Sequence, residues 1–170
     1  MRFVPYVCTG DSARLPVVVE PMKASDAEQT NRPPYWQTSW TSEYLADDRY
    51  ERYAVKSGNE LIGLGAYEVK ESSLVVHIVY MEAQPESNPT IVGDNRKYRG
   101  IGRLLIAFGI KLSIDYGFNG EVVLEAKTEE LARHYSKDYG AVRLPAFGSS
   151  APRFLIADTA AKQIFFAYLE

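Results

Sequence analysis

The sequence has few of the residues that form disulfides or bind metals. Its 170 residues include one cysteine, Cys8, and two histidines, His77 and His134. A single cysteine excludes an internal disulfide, and a metal site would need several carboxylates besides the two histidines. We therefore expect a reduced compartment and no metal site.

Long apolar runs and a surplus of positive charge are missing as well. No segment reaches the roughly 20 apolar residues that span a bilayer, and the opening MRFVPYVCTG has no cationic start followed by an apolar run. The net charge is -3, so the chain has no overall electrostatic reason to bind nucleic acid or anionic lipid. We expect a cytoplasmic protein that binds neither membranes nor nucleic acid.

The composition is that of one folded domain. Hydrophobic residues make up 46% of the chain and charged residues 24%. A chain of 170 residues is long enough for one core and short for two. We therefore expect a single domain spanning residues 1–170.

The first third of the chain mixes strand and helix patterns. A β-branched run predicts a strand over residues 15–20, and the region after Ser25 predicts a helix that Pro33 and Pro34 interrupt. Trp36, Trp40 and Tyr44 then follow at spacings of four, as one stripe along a second short helix. Such a stripe is more often buried in a core than placed in the wall of a ligand pocket, and we expect it to be buried.

The middle of the chain has the alternation of strands. Two β-rich runs meet at a turn over residues 57–59, and a third run, SSLVVHIVYMEA, follows. In the third run both alternating faces are largely apolar, which indicates a central strand. The three runs predict an antiparallel meander.

The segments after the meander predict a crossover. A loop over residues 84–95 precedes a helix over 101–117, a buried strand over 121–126 and a helix over 128–140. This order is typical of a crossover between parallel strands. The whole pattern therefore predicts an α/β fold, with a mixed central sheet flanked by helices. Near the end, IFFAYL fits a strand or a helix equally well.

The loop before residue 101 combines glycines with positive charge. Gly100 and Gly102 let the backbone come close to a ligand, and the helix start adds partial positive charge, which suits a phosphate. The loop is not a Walker loop, since no Gly-Lys-Ser/Thr follows, and it is not a dinucleotide fingerprint, since Leu105 stands in the third glycine position. By themselves these residues fit a phosphate site or a turn with solvated charges equally well. The flanking cations are Arg96, Lys97, Arg99 and Arg103.

The hexapeptide KYRGIG, residues 97–102, resembles the Gln/Arg-x-x-Gly-x-Gly/Ala motif of the GCN5-related N-acetyltransferase (GNAT) family, with lysine in the first position. The order of elements over about residues 61–144 is also similar to that family's. The resemblance implies an N-acetyltransferase that uses acetyl-CoA as co-substrate and holds its pyrophosphate on backbone amides of the loop. It implies the cofactor-binding residues Tyr80, Met81, Glu82, Lys97, Tyr98, Arg99, Gly100, Ile101, Gly102 and Arg103.

The resemblance also implies that an acceptor amine attacks the thioester directly, with no covalent enzyme intermediate. The oxyanion donor would come from the strand backbone near residues 80–82. Tyr135 would protonate the thiolate, unless it is only a core residue. For the base, Glu82 is the best carboxylate, His77 comes next and Glu125 third, and a water relay is equally open.

Two other function classes remain open from the sequence. A non-catalytic acyl-CoA-binding or regulatory module would keep the loop without needing an acid or a base, whereas nucleic-acid binding is disfavoured by the acidic total. If the protein is an enzyme, its acceptor is an amine. The excess of acids favours a cationic one, which Trp36 and Trp40 could bind by stacking or cation–π contact. A homodimer is also compatible with the sequence.

Overall fold

The chain folds as a mixed α/β structure, as the pattern of the sequence predicts. The structure, a computed structural model, describes residues 1–145 and 151–170. Its strands in chain order are β1 (Tyr6–Thr9), β2 (Arg14–Pro16), β3 (Val18–Pro21), β4 (Tyr50–Ser57), β5 (Glu60–Lys70), β6 (Val75–Ala83), β7 (Tyr98–Arg99), β8 (Val122–Glu125), β9 (Val142–Arg143) and β10 (Arg153–Ile156). Its helices are α1 (Ala24–Gln29), α2 (Pro89–Val92), α3 (Ile101–Asp115), α4 (Glu129–Tyr139) and α5 (Asp158–Phe166).

Seven strands form the central sheet, in the order β3-β4-β5-β6-β8-β10-β9. Strands β4, β5 and β6 pair antiparallel one after another, which confirms the predicted meander. Strands β6 and β8 pair in parallel and α3 lies between them in the chain, which confirms the predicted crossover. The helix after β8 starts with the predicted cap, because the Thr128 side chain accepts from Leu131 N–H.

Helix α3 lies very close to one face of the sheet. Glycines stand at the contact on both sides, Gly65 on β5 and Gly109 on α3. A Cβ on Gly65 would lie 2.8 Å from the hydroxyl of Tyr67, and one on Gly109 would lie 3.1 Å from Ile78 Cδ1. A methyl group at Gly65 would therefore force its neighbours to move, and one at Gly109 would fit only if Ile78 and Tyr67 shifted by a few tenths of an ångström.

The segment between α1 and β4 covers the other face of the sheet, where Trp36 and Trp40 are buried. The predicted second helix is wrong, because residues 30–49 form turns and bends. In a helix, Trp36 and Trp40 N–H would donate to carbonyls four residues earlier. Here both donate to Thr30 instead, Trp36 N–H to its carbonyl and Trp40 N–H to its hydroxyl. Tyr44 was expected to be buried with the tryptophans but is 58% exposed.

The strand predicted over residues 15–20 is two strands in two sheets. After Pro16 ends β2, Val17 N–H donates to Pro5 O, and β3 then joins the edge of the main sheet. Strand β2 instead forms a small sheet with β1 and β7. Because β7 is part of the basic loop, with Tyr98 opposite Thr9, the N-terminal hairpin holds that loop in place.

One further segment differs from its prediction, and one that the sequence left open is decided by the structure. The loop expected over residues 84–95 contains a 3-10 turn at Pro85–Ser87 and the short helix α2. The ambiguous IFFAYL begins inside α5 and ends beyond it, where Leu169 bridges to Phe3. Proline at the start of each short helix explains the first difference, since proline suits the first helical turn.

Two expected absences can be compared with the described residues. Among residues 1–145 and 151–170, no helix has the length and apolar character that crossing a bilayer requires. Within the same ranges, no three His, Cys, Asp or Glu side chains are grouped in a way that could hold a metal ion.

We expect Gly65→Ala to lower the free energy of unfolding by about 1–3 kcal/mol, because the methyl group would overlap the buried Tyr67 ring. Gly102→Ala is the matched control: its Cβ would meet no atom within 4 Å, so alanine should stabilise the helix by up to about 1 kcal/mol. Urea denaturation measures both. Equal stability of Gly65→Ala and the parent would contradict the tight contact.

Candidate active site

The site begins where β6 separates from its parallel neighbour β8. On β5, Ala66 pairs with Tyr80. The next residue, Tyr67, pairs with Ile78, which leaves Val79 as an extra residue in β6. Pairing between β6 and β8 stops at Ile78. Such a bulge bends a strand and ends its pairing, so a slot opens between the two strands.

A cleft of about 610 Å³ occupies this opening. Strand β6, the start of α3, helix α4 and the loop over residues 84–97 surround it. The cleft brings together nine of the side chains and glycines proposed from the sequence: Tyr80, Met81, Glu82, Tyr98, Gly100, Ile101, Gly102, Arg103 and Tyr135. Three other proposed residues, His77, Lys97 and Arg99, do not line it.

Backbone N–H groups of β6 face the slot. Gln84 N–H donates to Ile62 O of β5 over 2.8 Å. The backbone N–H of Glu82, two residues earlier in the chain, therefore faces β5 as well. Because successive residues of a strand alternate in direction, the N–H groups of Met81 and Ala83 face the opposite side, toward the slot. This edge of β6 can therefore donate hydrogen bonds to a bound molecule.

The start of α3 offers a second set of donors. Gly100 has a φ of +83°, and a Cβ on Gly102 would meet no atom within 4 Å, so a ligand can approach this backbone closely. The first helical hydrogen bond runs from Leu104 N–H to Gly100 O. The N–H groups of residues 101–103 consequently have no acceptor within the helix, which is the arrangement that binds anions.

Two of the four flanking cations line the cleft, Arg96 and Arg103. Arg96 Nε is buried and has no hydrogen-bond partner among the described residues. A buried guanidinium donor without a partner is costly. Arg96 and Arg103 together give this end of the cleft a positive charge that favours an anion.

The other two cations brace the loop. Glu60 on β5 accepts from Lys97 Nζ at 2.6 Å, from the Tyr98 hydroxyl at 2.7 Å and from Gln84 Nε2 at 3.1 Å. Burial opposes ionisation of Glu60, but these hydrogen bonds outweigh it and lower its pKa. Lys97 is thereby held away from the cleft. The guanidinium of Arg99 likewise donates to a backbone carbonyl of the preceding loop.

Glu82 is a buried carboxylate at the wall of the cleft. Its Oε2 accepts from Gln37 N–H at 2.7 Å and its Oε1 from Trp40 Nε1 at 3.0 Å. Burial raises the pKa of Glu82 despite these two bonds. The carboxylate therefore anchors the segment over residues 30–49 and also presents a proton acceptor to the cleft.

Tyr135 lies on α4 at the opposite wall. Its ring packs edge-on against Phe154, with centroids 6.0 Å apart, and it is 7% exposed. Burial, with a smaller effect of Tyr139, raises the pKa of Tyr135 to about 12. The hydroxyl consequently keeps its proton at neutral pH and can donate it.

His77 lies on β6 before the bulge, outside the cleft lining. Its Nε2 is 3.8 Å from Glu125 Oε1. Burial, with a smaller effect of Lys70, lowers the pKa of His77. The structure thus pairs the second and third candidate bases with each other and places neither against the slot.

Several cleft residues were missed in the sequence. Asn88 Nδ2 donates to Gln37 Oε1 at 3.1 Å, across 51 residues of chain, and no local pattern announces such a contact. Lys127 follows β8, and its Nζ lies 4.2 Å from the centre of the Tyr80 ring. Its position after a parallel strand was an available signal, because ligands bind at the carboxyl ends of such strands.

Comparison by sequence finds no relatives: no family model matches the chain, and no curated protein aligns with it significantly. Comparison by structure finds many. The chain resembles the ribosomal-protein-S18-alanine N-acetyltransferase from Escherichia coli with a TM-score of 0.57 and 12% identity, covering 84% of this chain and 96% of that one.

Two further neighbours were crystallised with a cofactor. The aminoglycoside acetyltransferase AAC(6')-Ib, in complex with coenzyme A and kanamycin, has a TM-score of 0.57 and 16% identity over 86% of this chain and 97% of that one. A GNAT family acetyltransferase from Elizabethkingia anophelis with acetyl-CoA bound has a TM-score of 0.52 and 15% identity, and the match covers 82% of this chain and 95% of that one. The fold of this chain is therefore the fold of the GNAT acetyltransferases.

Proposed function

We propose that this protein is an acetyl-CoA-dependent N-acetyltransferase that moves an acetyl group to an amine by direct attack. The observation that carries the proposal is the slot beyond Val79, which places strand N–H donors, the open start of α3 and Tyr135 around one cleft. The structural neighbours named above include acetyltransferases crystallised with coenzyme A or acetyl-CoA. We further propose that residues 1–170 act as one domain in the cytoplasm.

The residues of the cleft fit a pyrophosphate and the arm attached to it. Acetyl-CoA would supply a thioester as acyl donor. The N–H groups of residues 101–103 would bind its phosphates, together with the side chains of Arg96 and Arg103. The N–H groups of Met81 and Ala83 would hold the arm in the slot. Lys97, Tyr98 and Arg99 would contribute by holding the loop in shape.

Three residues divide the chemical work in this proposal. Met81 N–H donates to the oxygen on which negative charge develops. Tyr135 donates its proton to the departing sulfur. Glu82 accepts the proton of the attacking ammonium, directly or through water. No covalent intermediate on the protein is required.

The proposal is tested by measuring coenzyme A release from acetyl-CoA in the presence of a panel of primary amines. We expect amine-dependent release at a rate well above hydrolysis. Tight acetyl-CoA binding without release on any amine would instead support a non-catalytic acyl-CoA-binding module, which needs the loop but no acid or base.

Gly102→Asp should weaken coenzyme A binding about tenfold or more, because its carboxylate would lie beside the phosphates. The variant should fold, since a Cβ there meets no atom within 4 Å and a carboxylate is favourable at a helix start. Gly102→Asn is the matched control, with the same volume and no charge. Titration calorimetry compares the two; equal affinities would rule out a phosphate site at this turn.

Tyr135→Phe should lower kcat by about 10²- to 10⁴-fold, the usual contribution of a general acid. The ring contact with Phe154 is kept, so coenzyme A affinity and thermal stability should stay unchanged. Because the pKa of Tyr135 is raised to about 12, loss of this proton should not limit the parent enzyme between pH 7 and 10. A fully active variant would assign Tyr135 to the core alone.

Glu82→Gln should slow transfer about 10²-fold at neutral pH and recover in part at high pH, where the amine loses its proton unaided. Because its pKa is raised by burial, the parent should lose this base, as pH falls, at a higher pH than an ordinary glutamate would. Full pH profiles of kcat and KM measure both effects.

Trp40→Phe is the control for Glu82, because it removes the Nε1 donor and leaves the carboxylate. It should lower stability, and because the Trp40 hydrogen bond lowers the pKa of Glu82, it should move the loss of the base at low pH to a higher pH. Unlike Glu82→Gln, it should show no special recovery of activity at high pH. If Glu82→Gln raises KM and leaves kcat unchanged, the carboxylate only binds the acceptor. Profiles identical to the parent would remove Glu82 from the chemistry.

A further inference from the structure

The charges that line the cleft differ in sign from the charge of the whole chain. The chain carries -3, but the part of the cleft formed by residues 1–145 and 151–170 is lined by one carboxylate, Glu82, and by three cations. Arg96 and Arg103 lie at the end where the phosphates would bind. Lys127 is the third cation, and the proposed phosphate site does not require it.

The carboxylate in the cleft also has a structural role, which leaves one lone pair on each oxygen for a further partner. Both oxygens of Glu82 accept hydrogen bonds, from Gln37 N–H and from Trp40 Nε1. Residues 146–150 are Ala-Phe-Gly-Ser-Ser and supply no further acid. A polycationic acceptor needs several carboxylates to replace its hydration, and the charged residues lining this cleft include one.

The two tryptophans that were expected to bind a cationic acceptor are buried. Trp36 is 7% exposed and Trp40 1%, and Trp40 stacks on the Tyr80 ring with centroids 5.7 Å apart and an angle of 5°. Lys127 Nζ lies 4.2 Å from the centre of the same Tyr80 ring. The protein's own lysine thus occupies a cation–π position on the ring beside Trp40.

Lys127 is placed to bind an anion. Among the described residues, no carboxylate oxygen lies within 4.0 Å of Lys127 Nζ, so the lysine forms no ion pair with them. Its charge acts on Glu82 only at longer range, where it partly offsets the raised pKa of that group. Lys127 is exposed and lines the cleft, and its ammonium group lies over the ring of Tyr80 on β6.

We propose that the acceptor is an amine that carries a carboxylate near its amino group, and that Lys127 binds this carboxylate. The proposal rests on the transferase function proposed above. Lys127 then acts as a specificity-determining residue, because it fixes the acceptor so that the amine lies between Glu82 and Met81 N–H. Polycationic amines are disfavoured by the same charge.

Three dipeptides test the proposal, each with an amidated C-terminus: alanyl-aspartate amide, alanyl-asparagine amide and alanyl-arginine amide. They share one α-amine and differ in a charge nearby. For the parent we expect kcat/KM to fall in that order, with about 10- to 100-fold between first and last. Lys127→Glu should reverse the order, and Lys127→Met should make the three amides nearly equal. Lys162→Glu, an exposed lysine of α5 outside the cleft, should keep the parent order.

Each result has one meaning. Reversal of the order by Lys127→Glu but not by Lys162→Glu supports the proposal. Transfer with the same order in the parent and in Lys127→Glu overturns the role of Lys127 and leaves the transferase function standing. Transfer to other primary amines of the panel but to none of the three amides overturns the acceptor proposal alone, whereas coenzyme A binding with no transfer to any amine of the panel overturns the transferase function, and the acceptor proposal with it.

Discussion

One extra backbone residue is the constraint on which the site depends. Val79 has no partner on β5, so the register of β6 shifts by one after Ile78. Ile78 packs under α3, while Tyr80 and Glu82 face the cluster around Trp40. Had β6 stayed regular, its pairing with β8 would have continued and closed the slot. The cleft therefore exists because strand pairing fails at one position.

A buried carboxylate then joins distant segments around that slot. Glu82 on β6 holds the segment over residues 30–49 through Gln37 N–H and Trp40 Nε1, and Asn88 ties the following loop to the same segment. A buried polar cluster of this kind is stable only when its members are satisfied. Glu82 therefore has a structural task in addition to the chemical one proposed for it, which is why its test needs a control at Trp40.

The charge of a whole chain is a poor guide to the charge of its site. The acidic total suggested a cationic acceptor, yet acids such as Glu60 are taken up by ion pairs or lie away from the cleft. An acid that is paired with a cation, or that lies far from the cleft, contributes little to the electrostatic potential at a bound ligand. Among the described residues, the charged groups at the end of the cleft away from Arg96 and Arg103 are Lys127 and Glu82, and a molecule bound there would meet this local balance rather than the total charge.

The sequence by itself determined the strands of the meander, helix α3, the capped helix α4 and the glycine loop. Those features depend on periodicity and on residues close in the chain, so local patterns are enough. Only the tertiary structure decided that residues 30–49 form no helix, that Val79 is unpaired and that Lys127 lies over Tyr80. The reason is physical: these features depend on contacts across about 40 or more residues, such as Trp40 with Glu82 at a separation of 42, or on a register set between two strands.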